Sequence, residues 1–261
     1  TVNHPESGYA LNRLGAAYYS LGNKTAAEQS FRSAMKQEIS FYPAYLNLAR
    51  LLMDAGRTDE IRDILARGAE EAPGGDGEGL ANIALLYLGL GEQEKAENLL
   101  VKALDINPDS PIALGEMGGI LYEKGEQEKA LDYLNRALEH EQGPRRALYL
   151  SNRALIRKRA GKPDEALEDL EEALKINPRL ANPHLLKAEI EAGRKFPEKA
   201  AAILEEALEK VAEPSFEIHN ALHHLYIEFE QYQKAFDILH AYQKAAPADI
   251  RGQLAIGEYS L

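Results

Sequence analysis

One spacing dominates this sequence, because the same residue types return about every 34 residues. Ala27, Ile61, Ala96, Ala130, Ala166, Ala200 and Ala235 follow one another at steps of 34, 35, 34, 36, 34 and 35 residues. Five residues before the first five of them stand Gly22, Gly56, Gly91, Gly125 and Gly161. Seven residues before these glycines, or before the place one would hold, a small residue recurs as Gly15, Ala49, Ala84, Gly118, Ala154 and Ala188. Large apolar residues follow at Phe31, Leu65, Leu100, Leu134, Leu170, Leu204 and Leu239, and Pro73, Pro108, Pro178, Pro214 and Pro247 close most units. A period of this length marks a supersecondary unit that cannot bury its apolar face alone and must stack on its neighbours.

Each unit reads as two amphipathic helices, since its apolar residues fall at i, i+3/i+4, i+7 spacing twice. In residues 77–110, Leu80, Ile83, Ala84 and Tyr87 line one helix, and Gly91 supplies the left-handed residue that ends it. Ala96, Leu99, Leu100, Ala103 and Leu104 line the second, and Pro108, which lacks an N–H, stops it. The pattern from Leu80 to Pro108, L-x-x-I-A-x-x-Y-x-x-x-G-x-x-x-x-A-x-x-x-L-x-x-A-x-x-x-x-P, resembles the tetratricopeptide repeat (TPR). That resemblance implies an all-α fold, an α-solenoid wound as a right-handed superhelix, with first helices on the concave face and second helices outside. It divides 1–261 into one array with repeats at approximately 8–41, 42–76, 77–110, 111–146, 147–180, 181–215 and 216–249, and a capping or truncated helix at 250–261.

The departures carry expectations of their own. Repeat six has Lys195 at the turn-glycine position, so its first helix is expected to end early. Repeat seven has Glu230 there and His223 at the small-residue site, which predicts looser or different packing. Residues 73–79, Pro-Gly-Gly-Asp-Gly-Glu-Gly, are the most flexible segment by composition.

Composition narrows function by exclusion. There is no Cys, which removes disulfides, Cys-ligated zinc, iron–sulfur clusters and a thiol nucleophile. A formal net charge of −12 argues against nucleic acid as partner, because neutralising phosphates needs a basic surface. No apolar run reaches the roughly 20 residues of a membrane span. The chain starts at Thr1 with no leader pattern behind it, so it reads as a mature form or a fragment, compatible with cytoplasm and periplasm alike. No G-x-S-x-G, H-E-x-x-H or P-loop is present, and Gly75-Asp-Gly-Glu-Gly79 lacks the strand and the Lys-Ser/Thr of a phosphate loop. No catalytic residue, cofactor or metal is expected. His219 and His223 stand at the chelating i, i+4 spacing, but no further ligand is indicated, and they read as inter-helix packing residues.

One basic island interrupts the acidic field. Residues 143–163 contain Arg145, Arg146, Arg153, Arg157, Lys158, Arg159 and Lys162 and no acid. Arg153 followed by Asp169 resembles a TPR variant that pairs arginine on the first helix with aspartate on the second. Arg157, Lys158 and Arg159 are left to receive an acidic ligand. On the expected concave face, Asn47, Asn82 and Asn152 take equivalent places, as in family members that hold extended peptides through asparagine amides. The candidate peptide groove is therefore Asn47, Arg50, Met53, Asn82, Leu85, Leu88, Ile112, Tyr122, Asn152, Leu155, Lys158 and Arg159. The expected function is a non-catalytic scaffold for a protein or peptide segment, apolar with acidic residues at one end. The alternative is a structural arm of a larger bacterial secretion, export or pilus-assembly protein, suggested by the half-repeat from Ile250 to Leu261.

Overall fold

The computed structural model describes residues 7–37, 41–71 and 76–258. The chain divides into two compact units, Thr1–His140 and Glu141–Leu261. Unit 1 holds α1 (Gly8–Ser20), α2 (Lys24–Gln37), α3 (Tyr42–Met53), α4 (Thr58–Glu71), α5 (Gly77–Gly89), α6 (Gln93–Ile106), α7 (Pro111–Glu123) and α8 (Gln127–His140). Unit 2 holds α9 (Arg146–Arg159), α10 (Pro163–Ile176), α11 (Ala181–Gly193), α12 (Pro197–Lys210), α13 (Phe216–Glu228), α14 (Tyr232–Ala245) and α15 (Ile250–Glu258). The described residues are all-α, with no strand. Within each unit, every first helix packs on its own second helix, and that second helix packs on the next first helix. First helices also touch one another, α1 on α3, α3 on α5 and α5 on α7 in unit 1, and α9 on α11 and α11 on α13 in unit 2.

The hairpin turns share one solution. Gly91 N–H donates to Leu88 O at 2.9 Å and Glu92 N–H to Tyr87 O at 2.9 Å, the paired bonds of a Schellman motif that satisfy carbonyls a helix end leaves open. The left-handed residue this needs is glycine in five repeats, with φ between 69° and 81°. Lys195 and Glu230 take the same conformation at φ 65° and 57°. Helix α11 therefore does not end early. It runs to Gly193, and Lys195 N–H still bonds Ala192 O at 2.9 Å. The expectation failed because the closing hydrogen bonds and the packed second helix hold the turn, and glycine only makes it cheaper.

Helix starts explain a second difference. Ser7, Asp76, Ser110 and Ser215 each accept the backbone N–H three residues on, filling an orphan donor. Asp76 thereby starts α5, so Gly77–Gly79 are its first turn and not loop. Residues 73–75 lie outside the described residues.

The core follows the repeat. Ala27, Ile61, Ala96, Ala130, Ala166, Ala200 and Ala235 are fully buried, as are Leu65, Leu100, Leu134 and Leu170. The small residues of the first helices are needed for contact. A Cβ added to Gly15 would lie 2.5 Å from the Phe31 ring, and one on Gly118 would lie 2.8 Å from Leu134. His223 fills this place in repeat seven, 2% exposed, and its Nδ1 lies 2.8 Å from the Ala235 carbonyl. Packing there is different, as expected, with a ring and a side-chain hydrogen bond replacing close backbone approach.

A further cross-helix pair recurs three residues beyond the small site. In repeats three and seven, Lys95 sits 5.3 Å from the Tyr87 ring centroid and Lys234 sits 5.5 Å from that of Tyr226. Repeat five has Arg157 with Glu165 at 3.4 Å, and repeat six has Glu191 with Lys199 at 2.7 Å. The charge order is reversed between those two neighbours.

Candidate functional site

The first helices of unit 1 carry eight of the expected groove residues. Asn47 donates from Nδ2 to Oδ1 of Asn12 at 3.0 Å, and Asn82 donates to the Glu78 carbonyl of its own helix at 2.9 Å. One N–H of each amide is thus already engaged. Arg50 is exposed, Met53, Leu85, Leu88 and Tyr122 are half-buried, and Ile112 is buried at 5% exposure. Ile112 is therefore core and presents no surface to a ligand. Tyr19 donates to the Asp54 carboxylate, tying α1 to the end of α3.

In unit 2 the arrangement differs. Between α9 and α11 lies an open hollow of about 290 Å³ lined by Ser151, Asn152, Leu155, Asn182, Leu185, Leu186 and Glu189. Leu155, Leu185 and Leu186 supply its apolar surface. Asn152 and Asn182 are both exposed, and neither side chain makes a hydrogen bond among the described residues. An amide so placed offers one acceptor and two donors to an incoming backbone. Asn152 and Leu155 were legible in the sequence. Asn182 was missed because it lies six residues before the small-residue position that defined the register, and Leu186, at the register position of Asn152, was not placed in the groove.

The basic island is mostly bound. Asp169, 4% exposed at its side chain, accepts Arg153 in a bidentate pair at 2.6 and 3.0 Å and Arg157 Nη1 at 2.8 Å. The Arg153–Asp169 expectation holds. Arg157, read as available to a ligand, instead completes this cluster and approaches Glu165. Lys158 bonds Glu189 at the rim of the hollow, and Arg146 bonds Glu172 at 2.7 Å. Arg159 is exposed on the last turn of α9. A single buried carboxylate attracting two guanidiniums accounts for Arg153 and Arg157.

Other charges join repeats. Arg57 bridges Glu60 and Glu28, which raises its pKa and lowers that of Glu28, while Arg32 reaches the same two acids. Glu97 pairs with Lys124 of the next repeat at 2.6 Å, so its support is between repeats and not local. Burial holds His219 below the usual histidine range, against a hydrogen bond to Ser215 O that works the other way. Burial, with a bond to Glu205, pushes Tyr226 up to about 12. Among the described residues no three His, Asp or Glu side chains converge as metal ligands. None of the described helices is long and apolar enough to cross a membrane.

Comparison with known proteins fits this geometry. Models of the tetratricopeptide repeat match residues 8–36, 77–110, 109–179 and 151–215. The chain belongs to the tetratricopeptide repeat family. Repeats of this family mediate protein–protein interaction, and its scaffolds are generally non-catalytic. The TPR fold here is similar to that of a tetratricopeptide repeat protein from Parabacteroides merdae, with a TM-score of 0.70 at 20% identity over 96% of this chain and 97% of that one. It is also similar to the APC/C hetero-tetramer Cut9–Hcn1, with a TM-score of 0.72 at 19% identity over 85% of this chain and 43% of that one. Among curated proteins, the anaphase-promoting complex subunit CDC16 of Saccharomyces cerevisiae is 28% identical over 140 residues, 52% of this TPR chain and 16% of that protein. The photosystem I assembly protein Ycf3 of Prochlorococcus marinus is 46% identical over 55 residues, 21% of this chain and 31% of that protein. The chain spans less than a third of the length of these curated relatives.

Proposed function

We propose that the protein is a non-catalytic scaffold whose first-helix face binds an extended partner segment, with residues 1–261 acting as one array. The observation that carries this reading is the α9–α11 hollow, where two unengaged amides, Asn152 and Asn182, flank an apolar floor. An extended peptide has unpaired backbone groups for the amides and a side chain for the floor. Asn47, Arg50, Met53, Asn82, Leu85 and Leu88 are proposed as a contact surface on unit 1. There Asn47 and Asn82 each have one N–H already engaged, so they offer fewer groups to the partner and contribute less. An acidic residue on the partner would meet Arg159 and would compete with Glu189 for Lys158. The favoured ligand is an apolar segment with acidic residues at one end.

Selection of peptides from a random displayed library on the intact chain tests this. The double variant Asn152→Ala/Asn182→Ala should unfold within about 0.5 kcal/mol of the parent, as for exposed sites. It should bind the selected peptides at least tenfold more weakly, or ~1.4 kcal/mol. Equal binding by the double variant removes the hollow from the function.

The curated relatives favour a second reading. One is a subunit of a multi-protein complex and another an assembly protein, which suits a structural arm within a larger assembly, bacterial secretion, export and pilus assembly included. In that case stable partners would cover the inter-repeat surfaces, and no short peptide would be selected.

A further inference from the structure

Repeats five and six place a cation at the same register position and treat it differently. Arg153 rests on the buried Asp169. One period on, Lys187 takes the place of Arg153, but Ile203 takes that of Asp169. In repeats two, three and four the same position holds the buried Leu48, Ile83 and Met117. The Lys187 side chain is only 21% exposed, yet the acid it meets is Glu171 of the preceding repeat, at 3.2 Å and 56% exposed. An ammonium withdrawn from water without a buried counter-ion is costly.

A cavity of about 270 Å³ between α10, α11 and α12 opens onto Lys187. Leu174 and Ile203 give it apolar surface, and Lys175 and Lys210 bring two more ammonium groups. Lys175 is exposed and makes no ion pair among the described residues. The acids of the lining, Glu171 and Glu206, are more than half exposed and already paired, with Lys187 and Lys210. Glu206 is held below the usual carboxylate range by Lys210 first, and by His184 and Lys187 after it, so the local field favours negative charge. His184 lines the cavity too, 3% exposed, where repeats three to five have the buried Leu80, Leu114 and Leu150. Its Nε2 lies 3.0 Å from the Pro178 carbonyl, which can only accept, so Nε2 carries the hydrogen. In the neutral ring Nδ1 is then an acceptor, and it makes no hydrogen bond among the described residues.

We infer that this cavity binds a phosphate monoester. The anionic oxygens meet Lys187 and Lys175 and compete with Glu206 for Lys210, in charge-assisted hydrogen bonds. In its singly protonated form the ester donates its O–H to His184 Nδ1, which a carboxylate or a sulfate ester cannot do. The organic group rests on Leu174 and Ile203. A small molecule and a phosphorylated side chain both carry this chemistry. The cavity shares no lining residue with the α9–α11 hollow and does not depend on it.

Calorimetric titration of the intact chain with phenyl phosphate is expected to show saturable binding. Lys187→Met, which puts in this place the residue that repeat four carries at Met117, keeps the packing and should weaken binding at least tenfold. His184→Leu should weaken it as well, whereas Lys129→Met, at an exposed site on α8, should leave it unchanged. Phenyl sulfate, with no O–H to give, should bind at least tenfold more weakly than phenyl phosphate. A peptide carrying one phosphoserine tells the two sources apart. Tighter binding than phenyl phosphate assigns a modified partner, and weaker binding a small ester. Absence of saturable binding overturns the proposal, and so does equal affinity for phenyl sulfate or binding indifferent to Lys187→Met.

Discussion

Repeat four and repeat seven build the same helix pair from different residues. Repeat four uses Gly118 under Leu134 and Gly125 at the turn. Repeat seven uses His223 and Glu230 at those positions, yet keeps the left-handed turn and a buried interface. Stacking therefore fixes the architecture, and the repeat pattern records only the least costly way to satisfy it. Where the pattern is absent, the cost is met locally. A ring fills the space and bonds a carbonyl, and a non-glycine residue accepts a strained backbone conformation.

The comparison can be broken most sharply at the small-residue site. Moving the repeat-seven solution into repeat four, Gly118→His, should destabilise by about 3 kcal/mol, because Leu134 and the Ala130 carbonyl already stand within 3.3 Å of the added Cβ. Urea unfolding measures it, and a loss under ~1 kcal/mol would mean that repeat four adapts as repeat seven does. The reverse change, His223→Ala, removes a packed ring and its hydrogen bond and should cost about 2 kcal/mol. A neutral result there would show the ring to be filler.

Exchanging the turn residues sharpens the contrast at smaller scale. Glu230→Gly and Lys195→Gly should each stabilise by about 0.5–1 kcal/mol, and Gly125→Glu should destabilise by a similar amount. If all three change nothing in thermal unfolding, the left-handed conformation carries no cost here. The smallest effect is local and depends on pH. Burial lowers the pKa of His219, so its contribution is complete above the unfolded-state value near 6.5 and is lost as pH falls from there through the lowered folded-state value. Hydrogen exchange, corrected for intrinsic rate, should accelerate in α13–α14 between pH 7.5 and 5.5. It should not do so in α7–α8, where the one histidine is the exposed His140. Equal behaviour of the two repeats would remove His219 as the cause.

The fold was legible because its period is repeated, so a missing signal in one unit is outvoted by its neighbours. The turn at Lys195 was misread for the opposite reason, since its conformation is set by bonds to Ala192 and Glu191 that no single residue announces. The candidate site was less legible. Asn47, Asn82 and Asn152 share one register position, yet their amides differ in engagement because each meets a different neighbour. Arg157 looked like a ligand-binding charge because its partner, Asp169, lies twelve residues away on another helix.

The reversed charge order of the cross-helix pairs in repeats five and six bears on how such a chain avoids folding wrongly. Adjacent hairpins of similar sequence can exchange helices while the molecule assembles, the usual hazard of repeat proteins. In repeats five and six the correct pairings set Arg157 against Glu165 and Glu191 against Lys199. If α9 instead paired with α12, Arg157 would face Lys199. If α11 paired with α10, Glu191 would face Glu165, and in each case two like charges would be pressed into a half-dry interface. Such like-charge contacts would disfavour the exchanged pairings of these two repeats.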